Sequence, residues 1–245
     1  MRKEYLEKIE KNENYGQKIY QQIKGLIISG KLKAGSTINE REYADVLGVS
    51  RTPLRDALAL LEKEGWIEPK GKTRIVSPLV WKDILELIEL REPLDMIGFR
   101  LAFNKLNKED FVRLREILKQ MEEAAMMSRK DYYTIMRLDT SFHEYINRKS
   151  DNSLLIRMTG DLNEKITRTS VLSMKYSQWH THDYVEEHMR ILKYMEAGDF
   201  EAACQVLSWH YTSWAQRMMA LPKVLGFDPS EKDTPIQEAF VEFDK

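Results

Sequence analysis

The chain holds one cysteine in 245 residues, Cys204, which excludes an internal disulfide and a metal site built from cysteines alone. That scarcity fits a reducing compartment. No apolar run approaches the roughly 20 residues that a bilayer-spanning helix requires. The opening stretch, MRKEYLEKIEKNENYG, also lacks the apolar segment of a secretory signal. The expected location is therefore the cytoplasm, with no membrane partner. Charge of one sign is not in excess either, because 38 Lys and Arg meet 39 Asp and Glu for a net of −1. What is present, 42% hydrophobic and 31% charged residues, is the composition of a globular protein long enough for two cores.

The near-zero net charge hides an uneven distribution. Residues 15–77 carry eleven basic and seven acidic side chains, residues 1–14 balance, and the remainder is acidic. A basic front joined to an acidic back points to a polyanion partner for the front segment only.

That front segment reads as three helices and a wing. Ile19, Ile23, Leu26 and Ile27 mark one helical face that Gly30 ends. After the turn KLKAG, the residues Tyr43, Ala44 and Leu47 form a second apolar stripe, closed by Gly48. Ser50 is placed to cap a third helix, RTPLRDALALLEKEG, whose Leu54, Leu58 and Leu61 face inward, with Pro53 tolerated in the first turn. Two helices joined by the short LGVS turn make a helix-turn-helix, whose second helix enters a major groove of double-stranded DNA. WIE and TRIV, separated by Pro69 and KGK, read as a two-stranded wing with a basic tip. Catalytic groups are absent from this module.

Arg51 and Arg55 lie one turn apart beside the buried stripe of the third helix, where a guanidinium fork suits guanine edges or phosphate. The alternative is a solvated pair with a local partner such as Asp56. Arg41 and Lys72 are placed for phosphate positioning. The string GKLKAGSTINEREYADVLGVSRTPLRDALALLEKEGWI resembles the DNA-binding domain of the GntR family of bacterial regulators, with Ala34-Gly35 where the family has Pro-Gly. The resemblance implies operator contacts from Arg41, Ser50, Arg51, Thr52, Arg55, Gly71 and Lys72.

From Trp81 to about Ala220 the pattern is continuously helical with few breakers. Helices are expected near 81–104, 108–127, 131–149, 153–176, 183–197 and 200–220, with Pro93 kinking the first. Asn107, Asp151 or Asn152, and Asp199 stand at N-cap positions, and Gly198 supplies a turn. The expected fold class is mostly α: an N-terminal winged helix-turn-helix and a C-terminal antiparallel all-helical bundle. The expected divisions are an extension over 1–14, the DNA-binding domain over 15–77, a helical sensor over 78–221 and a loosely ordered tail over 222–245. Phe240, Val241 and Phe243 offer apolar docking residues in that tail.

Four side chains in this half have spacing that suits a metal. Asp139 and His143 are i and i+4 on one helix and can reach a single ion. His188 lies ten residues before Gly198 and His210 twelve after it. In a hairpin turning at Gly198-Asp199, both histidines sit roughly 15 to 18 Å from the turn and face each other. Three imidazoles and a carboxylate suit zinc, nickel or a similar divalent ion. Taken singly, each histidine is more simply a surface or hydrogen-bonded core residue. His180 and His182 fall in a loop and read as solvated. Trp209, Trp214, Met126, Met127, Met218 and Met219 read as core or dimer-contact residues.

LDTSFHEYI, SDNSLL, EEHMRILKYMEAGDFEAA and a final WH occur in that order and resemble the ligand-sensing (FCD) domain of the FadR-type branch of the GntR family. The resemblance implies a divalent metal on Asp139, His143, His188 and His210 that helps bind a small organic carboxylate. It also places Arg91 on the first helix of the domain, either facing the effector carboxylate or salt-bridged to Glu89 or Asp95. Arg168 is a second effector candidate. The implied assembly is a homodimer on a two-fold operator, acting as a repressor relieved by the effector. Two rivals remain: an ion that only ties the bundle together, with a non-carboxylate effector, and a metalloenzyme. For the latter the nearest motif, His143-Glu144-x-x-Asn147, lacks the second histidine of H-E-x-x-H.

Overall fold

The computed structural model describes residues 15–128, 130–176, 181–233 and 235–236. It forms two compact units, one with its described residues drawn from Met1–Val80 and Asp233–Lys245, the other spanning Trp81–Lys232.

The first unit contains α1 (Tyr15–Ile28), β1 (Thr37–Ile38), α2 (Glu40–Leu47), α3 (Arg51–Lys63), β2 (Ile67–Lys70) and β3 (Thr73–Val76). α1 buries Ile19, Ile23 and Ile27 against α3, which buries Leu54, Ala57, Leu58 and Leu61. Lys24 is buried on the same face, where its ammonium meets Glu64 at 3.1 Å and the Tyr20 hydroxyl at 2.6 Å. The Trp66 indole donates to that same carboxylate at 3.0 Å, tying α1 to the end of α3. The Asn39 side chain caps α2 by accepting from the amides of Arg41 and Glu42. Gly48 ends α2 at φ 70°, a left-handed conformation that costs glycine little and sets the tight turn into α3.

The wing is a three-stranded antiparallel sheet in the order β1-β3-β2. The sequence reading gave two strands. β1 was missed because two residues are too few to show the alternation that marks a strand; its place is fixed by pairing, Thr37 with Ile75 and Ile38 with Arg74.

The second unit contains α4 (Trp81–Ala102), a 3₁₀ turn over Phe103–Lys105, α5 (Lys108–Met126), α6 (Tyr132–Arg148), α7 (Ser153–Tyr176), α8 (Thr181–Glu196), α9 (Phe200–Met219) and α10 (Leu221–Leu225). α6 packs on α4, α5 and α7, while α8 packs on α5 and α9. α4 also lies against α7 and α9. α4 runs through Pro93 without a break. Asn107 and Asp110 form a reciprocal capping box on α5, Asp131 caps α6, Asn152 accepts from Leu155 N at the start of α7, and Asp199 caps α9. Along α4, Leu90, Ile97 and Leu101 share one exposed face.

The segment expected to be a loose tail is more ordered than its composition suggested. α10 ends at Gly226, and Phe227 packs edge-on against Trp81 with ring centroids 5.6 Å apart. Lys232 accepts a hydrogen bond from the amide of Lys82 at 2.8 Å. Pro235 then bridges Val80, and Ile236, 1% exposed, donates its amide to Leu79 O at 2.8 Å. Pro, Asp and Glu made the segment look unstructured, but one apolar residue with an edge to pair against is enough to hold it. Phe240, Val241 and Phe243 lie outside the described residues.

A chain truncated after Lys232 loses the Ile236 contact, a buried side chain contributing roughly 1.5 to 3 kcal/mol when fully buried. The unfolding midpoint of the first unit is expected to fall by at least about 5 °C in differential scanning calorimetry. An unchanged midpoint would show that the returning segment contributes nothing.

Candidate metal centre and nucleic-acid interface

α6 carries Asp139 and His143 one turn apart on its buried face, and the α8–α9 hairpin brings His188 and His210 opposite them. Ligand atoms of all four lie within 4.8 Å of one another, and all four residues are buried. The hairpin arithmetic is met: the His188 and His210 rings are 4.5 Å apart, centre to centre.

The outer nitrogen of each imidazole is engaged, so the three rings turn Nε2 inward. His188 Nδ1 donates to the Tyr184 carbonyl at 2.8 Å, and His210 Nδ1 donates to Glu187 Oε2 at 2.7 Å. His143 Nδ1 lies 3.0 Å from the Tyr211 hydroxyl. Inside, His143 Nε2 and His188 Nε2 approach to 3.2 Å, and Asp139 Oδ1 lies 2.9 Å from His188 Nε2 and 3.7 Å from His143 Nε2. Among the described residues, His210 Nε2 and Asp139 Oδ1 have no hydrogen-bond partner although both are buried.

Left so, these inward lone pairs oppose one another, and each unsatisfied buried acceptor costs roughly 1 to 3 kcal/mol. A divalent cation satisfies them together. Zinc at about 2.0 to 2.1 Å from tetrahedral ligands sets those ligands ~3.3 Å apart, a value bracketed by the 2.9 to 3.7 Å spacings among Asp139, His143 and His188, with the His210 atom within 4.8 Å of the others. Three nitrogens, one carboxylate and no thiolate form a donor set for zinc, nickel or a similar borderline ion. The residues therefore fit the group.

The electrostatics agree. Burial lowers the His143 and His210 imidazoles well below the ordinary histidine value, keeping both rings neutral. Burial would raise the Asp139 carboxyl, but Arg91 and the histidines overcome it and hold Asp139 well below the usual carboxylate range. Burial pushes Glu187 up, opposed by Arg217, whose guanidinium meets both carboxylate oxygens at 2.9 to 3.0 Å.

Arg91, on α4, is 1% exposed. It is paired with neither Glu89 nor Asp95: Nη2 donates to Asp139 Oδ2 at 3.1 Å, while Nε and Nη1 are buried without a partner among the described residues. Its guanidinium lies over the rings of Trp214 and Tyr211, at 4.6 and 5.4 Å. Arg168 is buried on α7, where burial lowers its pKa to about 10 against the opposing charge of Asp83. No bond joins it to the four ligands among the described residues. A cavity of about 10 Å³, room for one water, is lined by Tyr184, Trp214, Arg217, Ser170, Ser173 and methionines.

Sequence reasoning missed the roles of Tyr184, Glu187, Tyr211, Arg217, Asp95 and Asn147, having named Asp95 only as a partner for Arg91. Glu187 and Tyr211 left a signal, each standing directly beside a ligand histidine. Of the aromatic and methionine residues read as core or contact, Trp214 and Met218 are buried, while Trp209, Met126, Met127 and Met219 are exposed. His182 is exposed beside Asp183 and Glu186, and His180 lies outside the described residues.

On the other unit, Arg41, Ser50, Arg51, Thr52, Arg55, Gly71 and Lys72 are all exposed. Ser50 occupies the N-cap of α3, but its hydroxyl makes no capping bond. Arg51 and Thr52 open α3, and Gly71 and Lys72 form the turn between β2 and β3. Arg55 pairs not with Asp56 but with Glu40, at 2.7 Å. Arg74 shares that carboxylate at 2.8 Å and reaches Glu62 at 2.6 Å.

Residues 15–76 match the family described as bacterial regulatory proteins, gntR family, and residues 86–213 match the FCD domain. The chain belongs to the GntR family. This GntR-family protein is 31% identical over 206 residues to the HTH-type transcriptional regulator YdhC of Bacillus subtilis, covering 83% of this chain and 91% of that one. It is 31% identical over 192 residues to a protein of Paenarthrobacter nicotinovorans named "Probable D-xylose utilization operon transcriptional repressor", covering 77% and 81%. With the gluconate operon transcriptional repressor of Bacillus licheniformis it shares 27% over 172 residues, 70% of each chain. The fold matches E. coli McbR/YncC at TM-score 0.73, with 19% identity and coverage of 85% and 98%. The GntR-family chain is thus a transcriptional regulator with repressors among its relatives, and not an enzyme. Among the described residues, no helix is long and apolar enough to cross a membrane.

The depressed histidines give a pH prediction for chelator-treated protein. The unfolded chain takes up protons near the ordinary histidine value of about 6.5, whereas folded His143 and His210 resist them. The stability gained from burying them neutral is present above about pH 6.5 and is lost as pH falls below it. The raised carboxyls of Asp95 and Glu187 act in the opposite sense. Wild type is therefore expected to lose more of its thermal midpoint between about pH 7.5 and 5.5 than His210→Gln. Parallel curves from the two proteins would contradict the buried neutral imidazole.

Proposed function

We propose that this regulator is a homodimer whose operator affinity is set by a small organic carboxylate bound beside a divalent ion in the FCD domain. The observation that carries the reading is the pairing of four inward-facing ligands with Arg91. Two of its buried donors have no partner, and its third site of donation already holds a ligand carboxylate. Zinc or nickel suits the donor set, held by Asp139, His143, His188 and His210, and the ion would supply a Lewis-acidic site for a carboxylate oxygen. Arg91 fixes Asp139 and offers its remaining N–H groups to the second oxygen, the fork geometry that arginine favours. Arg168, with no link to the cluster, ranks below it.

The exposed Arg41, Ser50, Arg51, Thr52, Arg55, Gly71 and Lys72 supply the operator surface: Arg51 and Arg55 toward base edges, Arg41 and Lys72 toward phosphate. Two-fold operators call for two such heads, and the apolar face of Leu90, Ile97 and Leu101 is of the kind a two-fold interface covers. A regulator of this kind works in the cytoplasm; repression is the sense that the names of two relatives carry, and its relief by effector is part of this proposal. For the effector to act, it must bind the two states with affinities that differ by about 1 to 3 kcal/mol.

A second reading has its own support. The small cavity beside Tyr184 and Trp214 favours an ion that serves only to tie α6, α8 and α9 together, with an effector that is not a carboxylate.

Elemental analysis of purified wild type is expected to find close to one divalent ion per chain, and none in Asp139→Ala or His210→Ala. Wild type without metal would sink the proposal. With metal bound, a thermal shift on adding gluconate or another small carboxylate, lost in Arg91→Gln, supports the effector site. Metal without any carboxylate response favours the tying role. Operator affinity of wild type is expected to fall steeply with salt and to drop by roughly ten-fold or more in Arg51→Ala, an arginine fork being worth about 1 to 3 kcal/mol.

A further inference from the structure

Of the three imidazoles, two have their tautomer dictated by an unambiguous acceptor. A backbone carbonyl faces His188 Nδ1, and the Arg217-paired carboxylate of Glu187 faces His210 Nδ1. His143 is different. The group at its Nδ1, the Tyr211 hydroxyl at 3.0 Å, can donate or accept. If Tyr211 donated to Nδ1, His143 would carry its proton on Nε2 and present N–H, not a lone pair, to the other three ligands.

Asp95 decides the matter. The Tyr211 hydroxyl lies 3.1 Å from Asp95 Oδ2, and its single proton goes to that carboxylate. The hydroxyl oxygen is then left as an acceptor for His143 Nδ1–H. Asp95 is buried on α4, and its other oxygen accepts from Asn147 Nδ2 at 2.6 Å. Asn147 in turn occupies the space above Gly98, where an added Cβ would come within 1.9 Å of Asn147 Oδ1. A glycine in a helix interior is less favourable than alanine, and the close approach of Asn147 explains why α4 carries one.

We propose that Asp95 and Tyr211 are positioning residues that hold His143 in the Nδ1–H tautomer and so free its Nε2 for the metal, with Asn147 and Gly98 seating Asp95. This rests on the reading of the four-ligand cluster as a metal site and adds a claim about residues that touch neither ion nor effector. The device spans three helices, because Asp95 and Gly98 belong to α4, His143 and Asn147 to α6, and Tyr211 to α9.

The test uses full-length protein, stripped of metal and then titrated with cobalt. Long-range proton–nitrogen spectra of metal-free wild type are expected to show His143 with its proton on Nδ1. Tyr211→Phe keeps the ring and removes the hydroxyl. It is expected to show an Nε2–H population and to bind cobalt about 10- to 100-fold more weakly, the usual size of such an outer effect. Competition with a chromophoric chelator reads that loss, and the cobalt absorption bands should change shape. Gly98→Ala displaces Asn147 and is expected to weaken cobalt in the same direction. An Nε2–H tautomer in wild type overturns the assignment without recourse to any variant. Tyr211→Phe binding cobalt as tightly as wild type, with the same spectrum, overturns the positioning role while leaving the metal site intact. A wild type that takes up no cobalt overturns the metal reading itself, and this inference with it.

Discussion

Asp139 is a charged carboxylate with no solvent exposure, and the second unit is arranged around keeping it charged. Taking such a group out of water costs several kcal/mol even after relaxation, and only opposite charge and directed donors return it. Arg91 supplies the charge from α4, and the histidines of α6, α8 and α9 surround the other oxygen. Four helices are therefore fixed in register by one side chain. Because Arg91 is itself buried and only partly bonded among the described residues, the pair is not self-sufficient, and the cation and carboxylate proposed above would complete it. A core built to be neutral would have used a leucine here. A buried pair of this kind is weak evidence for stability, which favours the ligand-binding reading proposed above over fold maintenance.

Under the function proposed above, α4 is the element through which the site would act. It carries Arg91, Asp95 and Gly98, three residues that meet Asp139, Tyr211 and Asn147 respectively. It also begins at Trp81, immediately after the first unit ends at Val80. Any species that changes what Arg91 or Asp95 is bonded to shifts the balance of forces on the first helix after the DNA-binding unit. Coupling needs only that such a species prefer one setting of α4 over another.

Much of this was legible in the sequence, for reasons of range. Helix limits follow from local pattern and capping: the expected spans of all six sensor helices fall within two residues of those observed, because Asn107, Asn152 and Asp199 mark their starts. The histidine pair of the hairpin could be placed because helix rise converts sequence separation into distance, and one glycine fixes the origin. What range hides is the partner of a partner. Arg91 meets Asp139 across 48 positions, and Asp95 meets Tyr211 across 116. Neither contact has a local signature, and local charges such as Glu89 look like better partners than they are. β1 and the Ile236 contact were hidden for a related reason, since a two-residue strand is defined by its neighbour rather than by its own alternation.

The DNA-binding unit uses the opposite economy. There the charges are at the surface, where an ion pair is worth between about 0 and 1 kcal/mol. Arg55 on Glu40, with 60% of its side chain exposed, is thus cheaply released to a phosphate or a base edge. Glu40 does not pay for the exchange with an unpaired charge, because Arg74 of the wing holds its other oxygen at 2.8 Å and is itself anchored on Glu62. The bond to Glu40 holds Arg55 at one place on the surface, so less side-chain freedom remains to be lost when a partner is met. It also joins the start of α2, the recognition helix and the central strand of the wing through one carboxylate. A weak pair suits the change of partners proposed for Arg55, just as a costly one suits the fixed partners of Asp139.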